Sequence, residues 1–271
     1  MEVFKVNNTA HRKNHIFRSD KKTLIIAMDH GANFDVLPEL KHPGKMIRDI
    51  AKAGADAFLT TPGMASNFAD EFMGRGILLR VDGGVSHLGN TSESCQWVVT
   101  AEDALRLGAD SIITICSPGS KFENEVISNL SRAIMDAHRW GLPITVEALP
   151  RGFEKSDDSR TPENITFACR QSVEFGADMI KTIYTGDKES FRNLTESVFA
   201  PVVICGGTKK VSENELLQEI RDALDSGGAG AAIGRNIWSH ETPVKFAAAI
   251  AKLIHEDCSV EQAQKEMNPI F

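Results

Sequence analysis

Eight short apolar runs recur along the chain at fairly even intervals, at residues 24–28, 57–60, 77–81, 111–115, 144–148, 179–182, 201–205 and 230–233. Each has the length and character of a buried parallel strand. Stretches of helical periodicity separate them. Within 123–140, Val126, Ile127, Leu130, Ile134 and Ala137 fall on one face, and 214–224 behaves likewise. Strand and helix in alternation define βα units and a parallel sheet. Eight such units in 271 residues favour closure into a single-domain α/β fold, the (β/α)8 or TIM barrel, which commonly takes about 250 residues. The expected division is an N-terminal extension over 1–22, the barrel over 23–257 and a C-terminal tail over 258–271.

A second regularity supports the count. Ala53-Gly54-Ala55-Asp56, Leu107-Gly108-Ala109-Asp110, Phe175-Gly176-Ala177-Asp178 and Gly227-Gly228-Ala229-Gly230 each precede an even-numbered strand. Glycine suits the left-handed residue that ends a helix, and the small residues after it let the chain swing tightly into the next strand. The charged, turn-rich stretch 149–162 reads as a long loop after the fifth strand, on the face where a barrel carries its chemistry.

Composition narrows the function classes. A net charge of −7 gives no support to a broad polyanion-binding surface, so nucleic acid is not an expected partner. No apolar run approaches the roughly 20 residues that span a bilayer, so no membrane segment is expected. The basic N-terminal stretch lacks the apolar middle of a secretory signal, which points to the cytoplasm. The five cysteines are odd in number and not closely paired, suggesting neither a disulfide framework nor a zinc site.

The polar residues at the strand ends carry the chemistry. Lys181 interrupts an apolar strand, and burial there would favour its free amine, which attacks a carbonyl carbon to form a Schiff base. A salt-bridged lysine of purely structural role accounts for the pattern equally well. Gly206 and Gly207 after the seventh strand, with Gly234 and Arg235 after the eighth, match the phosphate site of such barrels, although tight turns use the same residues. Asp29, which ends the first strand, is a candidate for proton transfer. Glu147 is either a catalytic group or the buried partner of Lys181 or another cation. His30 could bind substrate or merely hydrogen-bond within its loop. Tyr184, three residues after Lys181, could donate a proton or pack the mouth of the barrel.

Ala27-Met28-Asp29-His30-Gly31, Pro150-Arg151-Gly152, residues 177–187, Cys205-Gly206-Gly207-Thr208-Lys209 and Ala232-Ile233-Gly234-Arg235-Asn236 follow one another over nearly the whole chain. In these stretches the sequence resembles the archaeal-type class I fructose-bisphosphate aldolases, a family that also takes in the 2-amino-3,7-dideoxy-D-threo-hept-6-ulosonate synthases and the autoinducer-2 aldolase/thiolase. The resemblance implies a metal-independent aldolase without a cofactor, acting on a phosphorylated sugar or related ketose, and a ring-like, higher-order homo-oligomer. It makes Lys181 the Schiff-base lysine, Asp29 the carboxylate beside it, and Gly206, Gly207, Gly234 and Arg235 the phosphate cradle, with His30, Arg151 and Lys209 in the substrate-binding set. One departure stands out. Members that cleave fructose 1,6-bisphosphate carry a tyrosine immediately before Pro-Arg-Gly as acid/base, and here that position is Leu149. Either Glu147 takes over the proton work or the substrate differs. Two alternatives stay open: a transaldolase- or thiolase-type transferase with the same Schiff-base chemistry, and a non-catalytic barrel that binds a phosphorylated metabolite. A metal-dependent enzyme is disfavoured, because His30 and Asp29 are adjacent and no other histidine falls at a strand end.

Overall fold

In the computed structural model, which describes residues 9–33, 36–83, 86, 88, 95–153, 156–207 and 212–267, eight parallel strands close into a barrel. They are β1 (Thr23–Ala27), β2 (Ala57–Thr60), β3 (Gly76–Arg80), β4 (Ser111–Cys116), β5 (Ile144–Ala148), β6 (Met179–Thr182), β7 (Val202–Cys205) and β8 (Gly230–Ile233). Each pairs with its neighbours in sequence, and β1 closes on β8 with Thr23 beside Gly230. Helices lie between consecutive strands, among them Glu123–Arg139, Pro162–Glu174 and Glu213–Asp225. A short antiparallel ribbon, Asp82–Gly83 against Gln96–Trp97, which the sequence pattern does not announce, sits above β3.

Strand alternation sorts the side chains. Ile25, Ala57, Leu59, Leu78, Ile113, Met179, Val203 and Ala232 fill the barrel interior, while Leu24, Ile26, Phe58, Leu79, Ile112, Val146, Ile180 and Ile204 face the helices. Continuing the interior set by steps of two reaches Ala27 and Asp29, Arg80 and Asp82, Ile115, Lys181, Cys205 and Gly234. Thr145 on β5 leads likewise to Glu147 and Leu149. The same parity that builds the core therefore delivers one ring of side chains to the C-terminal mouth.

The helix-to-strand repeat has a physical cause. Gly54, Gly108, Gly176 and Gly227 have φ of +114°, +78°, +111° and +90°. In the first three repeats the following aspartate caps the preceding strand: Leu24, Ile77 and Ile144 donate backbone N–H groups to Asp56, Asp110 and Asp178 at 2.7, 3.0 and 3.1 Å. The fourth repeat has Gly230 instead, because a Cβ there would stand 2.0 Å from the carbonyl oxygen of Thr23.

The same aspartates anchor residues 9–22, which run across the N-terminal end of the barrel. Lys13 pairs with Asp178 at 2.9 Å, His15 with Asp110 at 2.6 Å and Arg18 with Asp56 at 2.5 Å. Ile16, fully buried, plugs the interior cluster from below. At the other end of the chain, the helix Val260–Gln264, opened by a Ser259/Gln262 capping box, packs on Pro243–His255 and Glu213–Asp225. No helix among the described residues is long and apolar enough to cross a membrane.

Candidate active site

A cavity of about 670 Å³ opens at the C-terminal ends of the strands. Lys181 on β6 and Glu147 on β5 are direct register partners and reach into its floor, where the lysine Nζ lies 2.5 Å from Glu147 Oε1. The other carboxylate oxygen of Glu147 accepts from Arg80 Nη2 at 2.5 Å. Arg80 is buried on β3 and also donates to two further carboxylates, Nε to Asp29 at 2.9 Å and Nη1 to Asp82 at 3.2 Å. Asp82 is itself fixed by the hydroxyl of Thr114 and the backbone N–H of Ile115, at 3.0 and 2.7 Å. Five charged side chains, from β3, β5, β6 and the segments that follow β1 and β3, thus form one hydrogen-bonded chain.

The opposite wall is built from backbone. Gly206, Gly207 and Gly234 line the cavity with Arg235. These glycines are required by close approach: a Cβ on Gly206 would lie 2.8 Å from Asn236 Nδ2, one on Gly234 would lie 2.9 Å from the carbonyl oxygen of Ala27, and Gly207 has φ +60°. Asn236 donates to the Gly206 carbonyl at 3.1 Å and ties the turn after β7 to the turn after β8. Trp238 Nε1 donates to Ala27 at 2.9 Å and stands edge-on to His30, with ring centroids 5.8 Å apart.

The geometry places the sequence candidates unevenly. Lys181, Asp29, Glu147, His30, Gly206, Gly207, Gly234 and Arg235 all line the cavity, and so does Leu149. Tyr184 does not. Its offset of three from Lys181 puts it on the other face of the chain, where the ring packs on Phe191 at 5.3 Å between centroids and the hydroxyl is buried without a hydrogen-bond partner. Burial drives its phenol up to about 12. Arg151 is also absent from the described lining. It donates to Asp158 and to the carbonyl of Gly119, fastening the loop after β5 to the loop after β4. Lys209 lies outside the described residues.

Comparison with known proteins decides the family. The model of the DeoC/LacD family aldolases matches residues 23–240. The chain belongs to the DeoC/LacD family of aldolases. It is 36% identical to the 2-amino-3,7-dideoxy-D-threo-hept-6-ulosonate synthase of Halobacterium salinarum, over 90% of this chain and 91% of the relative. It is 32% identical to the class 1 fructose-bisphosphate aldolase of Thermoproteus tenax, over 89% of this chain and 92% of the relative. The solved structure of an archaeal fructose-1,6-bisphosphate aldolase, its catalytic lysine covalently bound to the carbinolamine intermediate of its substrate, superimposes with a TM-score of 0.83 at 30% identity, covering 92% of this chain and 99% of that one. The protein is therefore an aldolase of the class I, Schiff-base-forming type, and the reading as a non-catalytic barrel is set aside.

The electrostatics of the aldolase correct one expectation. Burial alone would drive the Lys181 ammonium to release its proton, yet the carboxylates of Glu147 and Asp29 outweigh it and Lys181 is held above its ordinary value. For Glu147, burial pushes upward, but Lys181 and Arg80 pull the carboxyl down to about 2. The resting pair is an ammonium and a carboxylate, not a free amine. Arg80 is the main residue that strand-end inspection misses. Its signal is the one that singles out Lys181, a cation inside an apolar strand, and it lies within the run 77–81. Arg160, on the loop after β5, is a second: it lines the cavity with its Nη1 4.0 Å from where a Cβ on Gly207 would stand.

Proposed function

We propose that Lys181 forms the Schiff base with the carbonyl of a phosphorylated sugar or related ketose, that Glu147 carries the proton, and that Gly206, Gly207, Gly234 and Arg235 hold the phosphate. The observation that carries this reading is the buried contact of 2.5 Å between Lys181 Nζ and Glu147 Oε1 on the cavity floor, one strand away from the glycine wall. As the carbonyl carbon approaches, the ammonium proton passes to Glu147 and the freed amine adds to the carbon, giving a carbinolamine. One of the two charges that depressed Glu147 has then disappeared, and with only Arg80 left beside it burial raises its affinity for the proton it has just taken. Glu147 returns that proton to the departing hydroxyl, water leaves, and the nitrogen is left as an iminium.

In the cleavage direction, a carboxylate removes the proton from the substrate hydroxyl beyond the scissile bond. The carbon–carbon electron pair moves into the iminium to give an enamine, and the hydroxyl carbon leaves as an aldehyde. Protonation of the enamine carbon and hydrolysis return the amine. We assign that proton to Asp29, which lines the cavity and is held by Arg80 Nε.

Leu149 lines this cavity, and a leucine transfers no proton where the resemblance would call for a tyrosine. We therefore read the substrate as one other than fructose 1,6-bisphosphate handled by the usual route. Borohydride treatment in the presence of dihydroxyacetone phosphate and a panel of ketose phosphates, followed by peptide mapping, tests the chemistry. A reduced adduct on Lys181, absent from Lys181→Met, is the expected result. Adducts on other lysines only, or undiminished turnover in Lys181→Met, would overturn it.

A further inference from the structure

Asp29 and Glu147, the two proton carriers of the proposed reaction, approach the cavity from opposite sides of the barrel. Asp29 follows β1 and Glu147 lies on β5, four strands apart in a ring of eight. Arg80 joins them from β3, which stands midway between. Each of its three nitrogens donates to a different carboxylate: Nε to Asp29 at 2.9 Å, Nη2 to Glu147 at 2.5 Å and Nη1 to Asp82 at 3.2 Å. Asp82 is fixed in turn from β4, by the Thr114 hydroxyl and the Ile115 backbone N–H. Stability gives no reason for such a chain, because buried ion pairs are often replaced by well-packed apolar side chains without loss.

We infer that Arg80 is a positioning residue for the aldol reaction: anchored by Asp82, it spans the cavity, sets Asp29 and Glu147 at their separate proton-transfer positions and keeps both carboxylates free to accept. The inference rests on the Schiff-base reading of Lys181. A planar guanidinium suits the task, since its rigid fork directs several acceptors at fixed angles, whereas an ammonium is a point charge on a flexible stem. The charge balance requires it as well. Asp29, Asp82 and Glu147 face two buried cations, Arg80 and Lys181. Without Arg80, three carboxylates would share one lysine, and buried carboxylates that repel one another hold on to protons. A carboxyl group that already carries its proton accepts none from an ammonium or a substrate hydroxyl. Burial indeed pushes Glu147 upward, and it takes Lys181 and Arg80 together to hold the carboxyl at about 2. For Lys181, burial and the charge of Arg80 favour release of the proton against the hold of Glu147 and Asp29.

Other ionisable groups line the same cavity. Burial pushes the thiols of Cys95 and Cys205 up, Cys95 to about 12, so both stay neutral. His30 stands beside Asp29, and Asp157, Arg160 and Arg235 lie at the exposed rim. Within the buried network each proton carrier loses its charge once per cycle, Glu147 on taking the ammonium proton and Asp29 on taking the hydroxyl proton. At those moments its attraction for Arg80 weakens. Asp82, which exchanges no proton, still holds the guanidinium, so the fork stays in place. Arg80 keeps its own proton throughout, and no bond to carbon forms or breaks on it.

The test follows turnover and borohydride trapping against pH in the intact enzyme, using whichever of dihydroxyacetone phosphate and the ketose phosphates gives the wild-type adduct. In Arg80→Ala, kcat is expected to fall about a hundred-fold or more. KM should change by less than about three-fold, because the glycine wall is untouched. The acid limb of kcat/KM and the midpoint of Lys181 trapping should both move to higher pH, by about one pH unit or more. Guanidinium chloride, far below unfolding concentrations, should enter the space left by the side chain and recover about ten-fold in kcat. Arg80→Lys keeps the charge without the fork, so its limbs should stay near wild type while kcat falls about ten-fold or more. Asp82→Asn removes an opposing charge, and its trapping midpoint should move to lower pH. A merely structural arginine would lower activity with every limb unmoved and no recovery by guanidinium. Unmoved limbs in Arg80→Ala, or full activity in Arg80→Lys, overturn the inference. Should Arg80→Ala not fold, Arg80→Lys and Asp82→Asn decide it, and a midpoint that does not fall in Asp82→Asn overturns it. Any of these results with the Lys181 adduct still forming defeats only the positioning role. No adduct with any donor in the wild type defeats the Schiff-base reading and this inference with it.

Discussion

Arg80 and Lys181 are the two cations buried in the strands of this barrel, and Glu147 stands between them with one oxygen on each. Their protonation defines the resting enzyme. Glu147 is held at about 2, below an unfolded value of about 4.3. Its contribution to stability is therefore complete above that unfolded value and is lost as pH falls toward 2. Lys181 is shifted upward, so its contribution holds at neutral pH and disappears only in alkali. In Glu147→Gln the lysine loses its main partner and burial dominates. The midpoint of Lys181 deprotonation, read from the pH dependence of borohydride trapping, is expected to fall by about one pH unit or more, and an unchanged midpoint would show that Glu147 does not keep the lysine protonated. Much of this site could be read from residue types: Lys181 from a charge in an apolar run, the glycine wall from two turns at consecutive strand ends. Arg80 offered the same signal but sat inside a run that otherwise reads as core. For Tyr184 proximity in sequence to Lys181 leaves proton donor and packing residue both open, and the odd offset favours packing, as its contact with Phe191 agrees.

At the scale of elements, the eight apolar runs coincide with the eight strands to within about one residue at each end, because a strand buried on both faces reads as a short, near-continuous apolar run that ends where the chain turns polar. The ribbon above β3 was not legible, since two residues on each side make no periodic pattern. The glycines of the turns separate two kinds of constraint that sequence alone merges. Gly108 has φ +78°, and a methyl group added there would have nothing within 4 Å, so Gly108→Ala is expected to cost only the left-handed penalty of about 1–2 kcal/mol. At Gly230 the added methyl would collide with the Thr23 backbone oxygen, where β1 and β8 must meet. Gly230→Ala is expected to lose several times more stability, or to yield no folded barrel. Thermal unfolding of the two variants side by side is the measurement, and comparable losses would refute the distinction.

For the whole molecule, the decisive arrangement is the segment 9–22 lying under the barrel. It looked like a basic extension in sequence, and nothing in its composition announced that Lys13, His15 and Arg18 would each find one of the three repeated aspartates. Ile16 contributes the apolar part of the plug. Ile16→Ala should cost about 2–5 kcal/mol, as other buried isoleucine truncations do, measured by urea unfolding, with kcat little changed because the cavity is at the opposite mouth. A loss below about 0.5 kcal/mol, the usual scatter for a surface substitution, would mean that the plug is not seated. The plug also orders the birth of the protein. Its three anchors are spread over residues 56, 110 and 178, so a ribosome finishes the first piece long before the last of its docking points has emerged. That segment cannot be fully seated before residue 178 has been made, and β1 waits longer still for Gly230. Closing the ring and seating the plug are consequently late events on the nascent chain, however early their residues are read.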